Sequence, residues 1–214
     1  LDCVNEVLQN GNMPHSWRGA RTRLLLKKYP VTEMSHWRPV CLLRTAYKVA
    51  SAIINDRLAH LFEQHGILEQ QQEGNQQQHN TTRQIHRLLH VIQDARQTGS
   101  KLYVLYLDLV NAYNATNLRA LMVALRQFGV PEPDVCMLER LLAGSWLSVA
   151  NSFGQTAQCR LRRGVKQGDV TSPLLFAALI NLLLRSLQDS GAGYVCHPPP
   201  GLDGDLTVSN GAFV

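Results

Sequence analysis

Apolar residues fall in different rhythms along this chain, and each rhythm predicts a different element. From Thr45 to His65, Ala46, Val49, Ala50, Ile53, Ile54, Leu58, Leu61 and Phe62 recur at helical spacing, with Gly66 as a C-terminal cap. A second helix starts at Asn80 or Thr81, carries Ile85, Leu88, Leu89 and Ile92 on one face, and stops by Gly99. Asn117 can cap a third, Leu118 to Phe128, and Asp134 a fourth running to about Trp146. Val170 to Gln188 is a strongly apolar helix, and residues 1–13 read as the tail of an upstream one. Arg23–Lys27 is a short strand, and Pro39 keeps Arg38 extended within Trp37–Leu43. Leu147–Asn151 and Thr156–Leu161 form a hairpin across Ser152-Phe-Gly154.

Two stretches break these rhythms. Lys101 to Leu109 is apolar almost throughout, as expected of a strand buried on both faces. Gln70 to Gln78 has no apolar period and is expected as an exposed loop. Near the end, Pro198 to Asp205 reads as a loop, followed by strand material at Leu206–Val208 and Ala212–Val214. No internal repeat is visible.

The 214 residues are enough for one sizeable core or two small lobes. With 45% hydrophobic and 17% charged residues, the chain is folded rather than disordered. The net charge of +5 is compatible with nucleic acid, and its distribution says more. Between Pro14 and Arg44 stand Arg18, Arg21, Arg23, Lys27, Lys28, Arg38 and Arg44, opposed only by Glu33. A second group, Arg160, Arg162, Arg163 and Lys166, precedes a Gly-Gln-Gly turn; both groups are read as substrate-facing. The five cysteines, Cys3, Cys41, Cys136, Cys159 and Cys196, lack zinc-site spacing and fit a reducing intracellular setting. His86 and His90 read as helix surface. No signal peptide or apolar run long enough to span a bilayer is present, and both ends look cut from a longer polypeptide.

The candidate chemistry lies in two places. Tyr106-Leu-Asp-Leu-Val-Asn-Ala-Tyr113 puts one carboxylate, Asp108, at the exit of an apolar run, with a ring five residues on. Arg163-Gly-Val-Lys-Gln-Gly-Asp-Val-Thr-Ser-Pro-Leu-Leu-Phe176 runs from a backbone-exposing turn into an apolar helix. Two-metal phosphoryl transfer needs a strand-end carboxylate beside such a turn.

In this order the two stretches resemble motifs A and B of reverse transcriptases, especially those of non-LTR retrotransposons. The resemblance runs from about Met13 to Val214. It implies an α+β right-hand polymerase: upstream flank 1–13, fingers 14–100, palm 101–117, connecting helices and hairpin 118–163, and palm again 164–214. It also implies RNA-directed DNA synthesis, in which a primer 3′-hydroxyl attacks a deoxynucleoside triphosphate on an RNA template. Asp108 would be the catalytic metal ligand, assisted by the Leu109 main-chain carbonyl, with two Mg²⁺ ions as cofactors. Tyr113 would be the gate against a 2′-hydroxyl, and Gln167 and Gly168 would contact the incoming nucleotide. Lys27 and Arg38 would hold the triphosphate, with Lys28 an equal rival to Lys27.

The chain departs from the family at three points. Asn114 stands where Asp is common. Asn75 replaces the usual Phe after Gln72-Glu-Gly74. Asn210-Gly-Ala-Phe-Val214 resembles the approach to the family's Asp-Asp pair without reaching it. A polypeptide ending there would lack its second set of metal-binding acids and would not polymerise. The expected setting is intracellular, in a nuclear or cytoplasmic ribonucleoprotein, with no membrane partner. Two alternatives remain open: a non-catalytic RNA-binding relic or maturase-like protein, and an unrelated α+β domain.

Overall fold

The computed structural model describes residues 2–74, 76, 79–191 and 193–196. The predicted strand and loop beyond 196 lie outside the described residues. Helix α1 spans Asp2–Asn10 and is followed by strands β1 (Gly19–Leu26) and β2 (Trp37–Leu42). Helices α2 (Thr45–Gln64), α3 (Thr81–Thr98), α4 (Ala112–Ala115), α5 (Leu118–Gln127) and α6 (Glu132–Leu142) come next. Strands β3 (Trp146–Asn151), β4 (Gly154–Gln155) and β5 (Cys159–Arg160) precede α7 (Ser172–Asp189). The result is a mixed α/β structure with one sheet and seven helices among the described residues.

The sheet runs β2-β1-β3-β4, with β5 also on β3. β1 and β3 are parallel and the other pairs antiparallel. Among the described residues β2 therefore leaves one edge without a neighbouring strand. The core is helical. Ala50, Ile54, Leu58 and Phe62 of α2 meet Leu121 and Leu125 of α5, Val135, Leu138 and Leu141 of α6, and Leu174 and Leu175 of α7. Each buried Val, Leu, Ile or Phe side chain among these contributes about 1.5–3 kcal/mol.

Most helix limits follow the apolar periodicity. The Asn80 side chain accepts from Arg83 N at 3.0 Å, and Asn117 caps α5 in the same way. α6 differs from expectation: it starts at Glu132 behind Pro131, and Asp134 lies inside its first turn. It also ends at Leu142, because Trp146 is already the first residue of β3. The hairpin forms, but its second arm is split. Thr156 Oγ1 takes the Val149 N–H at 3.0 Å, so a side chain replaces a ladder bond between β4 and β5.

Three expectations are corrected. Lys101–Leu109 forms no strand among the described residues; Tyr103, Leu105, Tyr106 and Leu107 are well exposed. Apolar content alone cannot supply the neighbour that a strand must pair with, and the described strands β1–β5 all pair with one another in a single sheet. On α3, Ile85 and Leu89 are exposed, and the buried side is Gln84, Val91 and Ala95.

The Gln-rich loop is the third correction, because Gln72 and Glu73 within it are buried. Glu73 accepts from Arg83 Nε at 2.7 Å, Gln84 Nε2 at 2.8 Å and Asn80 N at 3.0 Å. Gln72 Oε1 accepts from Gly74 N at 2.9 Å. Asn181 of α7 donates to Ile67 O at 2.7 Å and accepts from Glu69 N at 2.8 Å, while Arg185 bonds Ile67 O and Glu69. Polar satisfaction anchors this loop, and a search for apolar periodicity does not detect it.

Candidate active site

The Gly-Val-Lys-Gln-Gly segment joins two parts of the molecule. At its start, Gly164 N donates to Thr116 O at 2.8 Å and Val165 N to Tyr113 O at 2.9 Å. Gly164 has φ +89°, and a Cβ there would lie 2.7 Å from Asn114 O. At its end, Cys41 N donates to Gln167 O at 2.7 Å across the open edge of β2. Gly168, at φ +113°, packs so closely that a Cβ would sit 2.5 Å from Cys41 O. Both positions therefore require glycine, for conformation and for space.

The tip is a four-residue turn, Lys166-Gln167-Gly168-Asp169, closed by Asp169 N to Lys166 O at 3.1 Å. Its two flanking side chains point inward, each 3% exposed, while Gln167 is half-buried and Gly168 exposed. Lys166 is thus not the substrate-facing cation expected from sequence. Its Nζ lies 4.8 Å above the Tyr47 ring with no hydrogen-bond partner among the described residues. Asp169 accepts from Tyr47 Oη at 2.5 Å and from Ser51 Oγ. Burial pushes the Lys166 ammonium below its usual pKa, against the opposing pull of Asp169. Burial also holds the Tyr47 phenol well above its ordinary value, and the Asp169 charge adds to this. The Cys41 thiol is raised by burial and contacts Thr22 Oγ1 at 3.7 Å.

Sequence reasoning missed Tyr47, Ser51 and Asp169. A signal was there: Tyr47 and Ser51 are an i, i+4 polar pair on the apolar face of α2, and buried polar groups need partners.

The remaining expected site residues are placed as follows. Asp108 is exposed, without a hydrogen bond or ion pair among the described residues, and Leu109 beside it is also exposed. The turn after them passes through Asn111 in the left-handed region, φ +51°, which Asn tolerates better than most residues. It delivers Tyr113, whose ring packs 5.2 Å from Phe176 of α7 at 35°. Lys27 and Lys28 are both exposed just past β1, and the structure does not separate them. Arg38 is exposed on β2 opposite Leu25. The structure thus joins Gln167 and Gly168 to the strand bearing Arg38, and Tyr113 to the foot of the same loop. The Lys27 N–H donates to His36 O at 2.8 Å, just ahead of β2, which ties Lys27 by its backbone to the same strand pair; no hydrogen bond or ion pair among the described residues ties Asp108 to these groups.

Directly opposed residues share a sheet face, so Arg21, Arg23 and Arg38 share one. Arg160 joins them opposite Trp146, which itself pairs with Gly19. Arg21, Arg44, Trp146, Ser148 and Gln155 help line a cleft of about 400 Å³ on this side. No carboxylate pairs with any of these arginines among the described residues.

As for metals, no three acids, histidines or cysteines converge among the described residues. Magnesium takes oxygen donors and is commonly held by one or two carboxylates plus phosphate and water. Asp108 and the Leu109 carbonyl fit that chemistry for one ion. The described residues do not supply the further acids that a two-ion site requires.

Residues 26–197 match the family model "Reverse transcriptase (RNA-dependent DNA polymerase)". The chain is 28% identical over 200 residues to a Pol polyprotein of the type-1 retrotransposable element R2 of Popillia japonica, covering 93% of this chain and 26% of that protein. It is 27% identical over 173 residues to a probable RNA-directed DNA polymerase from transposon X-element of Drosophila melanogaster, covering 80% and 19%. To the RNA-directed DNA polymerase from mobile element jockey, also of Drosophila melanogaster, it is 24% identical over 175 residues, covering 81% and 19%. The chain thus spans about a fifth to a quarter of the length of these relatives. By the family match over most of its length, this chain belongs to the reverse transcriptases.

Proposed function

We propose that this chain is part of an RNA-directed DNA polymerase of non-LTR retrotransposon type. Its reaction is attack of a primer 3′-hydroxyl on a deoxynucleoside triphosphate, with pyrophosphate leaving, on an RNA template. One observation carries this reading: the Gln167-Gly168 turn is fixed by its backbone to the edge of the strand that bears Arg38. A nucleotide whose sugar and base meet a turn, and whose phosphates meet an arginine fork, needs those two groups held in one frame.

In this reading residues 14–100 are fingers and residues 101–117 and 164–214 belong to the palm, with 118–163 connecting them and 1–13 upstream. Arg38 and Lys27 or Lys28 grip the triphosphate; Gln167 and the Gly168 backbone orient the nucleotide. Tyr113, supported by Phe176, closes the space a 2′-hydroxyl would need. Asp108 and the Leu109 carbonyl hold a divalent ion. When bound, magnesium acidifies the primer hydroxyl and neutralises charge on the phosphates. These 214 residues offer Asp108 as one acid of that site, so the proposal concerns the polypeptide that carries them. Its setting would be an intracellular ribonucleoprotein, nuclear or cytoplasmic, to which the free thiols are suited.

The arginine face, which no carboxylate pairs with among the described residues, supports an RNA template and DNA primer as partners, and it equally suits RNA binding without catalysis. Primer extension on an RNA template by the full polypeptide separates the two. Magnesium-dependent nucleotide addition supports the polymerase; salt-sensitive RNA affinity without addition supports the binding protein and overturns the first reading.

A further inference from the structure

The Lys166–Asp169 turn presents its two central residues and buries the side chains of both flanking ones. Burying a carboxylate and an ammonium at the feet of a surface turn is costly unless each is well partnered. Here the partners come from α2. Tyr47 and Ser51 both donate to Asp169, and the Tyr47 ring lies under Lys166. All four residues are 3% exposed or less.

We infer that Asp169 is a positioning residue: through Tyr47 and Ser51 it fixes the Gln167-Gly168 turn against helix α2 and the edge of β2. The chain of contacts is short. Asp169 closes the turn through its N–H to Lys166 O, and the turn accepts the Cys41 N–H through Gln167 O. β2 leads within three residues into α2, which begins at Thr45. The loop between Gly164 and Ser172 is therefore held from three sides: by α4 at its start, by β2 at its tip and by α2 at its base. Losing the α2 hold frees the tip without touching either glycine. Asp169 never meets the nucleotide; it acts on affinity by keeping Gln167 and Gly168 where the nucleotide needs them.

This inference rests on the polymerase reading for its kinetic consequence, and a second readout makes it independent of activity. Tyr47→Phe keeps the ring under Lys166 and removes only the donor; Ser51→Ala removes the other. In primer extension by the full polypeptide, each variant raises KM for the deoxynucleoside triphosphate roughly tenfold or more, the effect of losing a hydrogen bond to a charged group. The same variants leave kcat and primer–template affinity within about twofold, because they release only the nucleotide-side turn. Native-state hydrogen exchange of the Cys41 amide, which reports the turn directly, quickens in both variants while the α3 amides keep their rates. Unchanged KM with a lowered melting temperature, or unchanged Cys41 exchange, overturns the inference and leaves Asp169 with a purely structural role. An inactive wild type would sink the polymerase reading alone, and amide exchange would still decide this one.

Discussion

Gly168 and Cys41 are packed backbone to backbone. A single methyl group at position 168 would lie 2.5 Å from the Cys41 carbonyl, and the residue's φ of +113° disfavours any L side chain. Gly168→Ala must therefore push the turn away from β2 or strain it in place. The expected cost is about 1–3 kcal/mol from conformation alone. Under the proposed function, extension activity should fall further than stability does, since the displaced turn would be the one that meets the nucleotide. Thermal melting beside extension rates checks this; equal, small losses in both would show that the close approach is incidental.

Glu73 gives a pH signature. Burial would raise its carboxyl, but the hydrogen bond and charge of Arg83, then His79 and the Asn80 N–H, outweigh that and hold it below its ordinary value of 4.5. A carboxyl depressed on folding adds stability that is fully present above the unfolded pKa and is lost as pH falls through the folded one. Stability should accordingly drop below about pH 4.5 in the native chain, and this part of the drop should vanish in Glu73→Gln. Melting curves from pH 6 down to pH 3 read it. At neutral pH, Glu73→Ala should cost about 2–3 kcal/mol by leaving Arg83, Gln84 and the Asn80 amide without their acceptor.

Asn181 ties α7 to the same loop. Replacing it with Leu strands the Glu69 N–H and removes one donor to Ile67 O, which Arg185 still reaches at 2.9 Å. The expected loss is about 1–3 kcal/mol, seen as a lower denaturation midpoint with an unchanged slope.

Tyr113 distinguishes a gate from a core ring. It is partly buried and rests on Phe176, so Tyr113→Ala costs stability in either case. Under the proposed function the variant also accepts ribonucleoside triphosphates at rates approaching those for deoxynucleotides. Lower stability with undiminished discrimination against ribonucleotides would make it a packing residue only.

Much of this was legible in the sequence, and the remainder failed for identifiable reasons. Helices α2, α5 and α7 follow from apolar spacing and the Asn117 cap, and α3 from its Asn80 cap and Gly99 stop, although its buried face differs from the one the apolar residues suggest. The glycines of the Gly-x-x-Gln-Gly turn read from sequence as room for a ligand to approach the backbone, and the structure uses that room for Asn114 and Cys41. The strand expected at Lys101–Leu109 did not form among the described residues, because an apolar run says nothing about which backbone will pair with it. Charge and adjacency to the Gly-Gln-Gly turn make Lys166 read as substrate-facing, whereas Tyr47 and Asp169 give it a buried niche. The Gln-rich loop misled in the same way, since long-range hydrogen bonds from Asn181, Gln84 and Arg83 leave no periodic trace.

Asp108 carries the central claim. The most direct measurement is single-nucleotide primer extension on an RNA template with magnesium, comparing the native full polypeptide with Asp108→Asn and Asp56→Asn. Asp56 is an exposed acid on α2 and serves as the control. The account predicts that Asp108→Asn abolishes extension while RNA binding and melting temperature persist, and that Asp56→Asn extends normally. Extension that survives Asp108→Asn would contradict it.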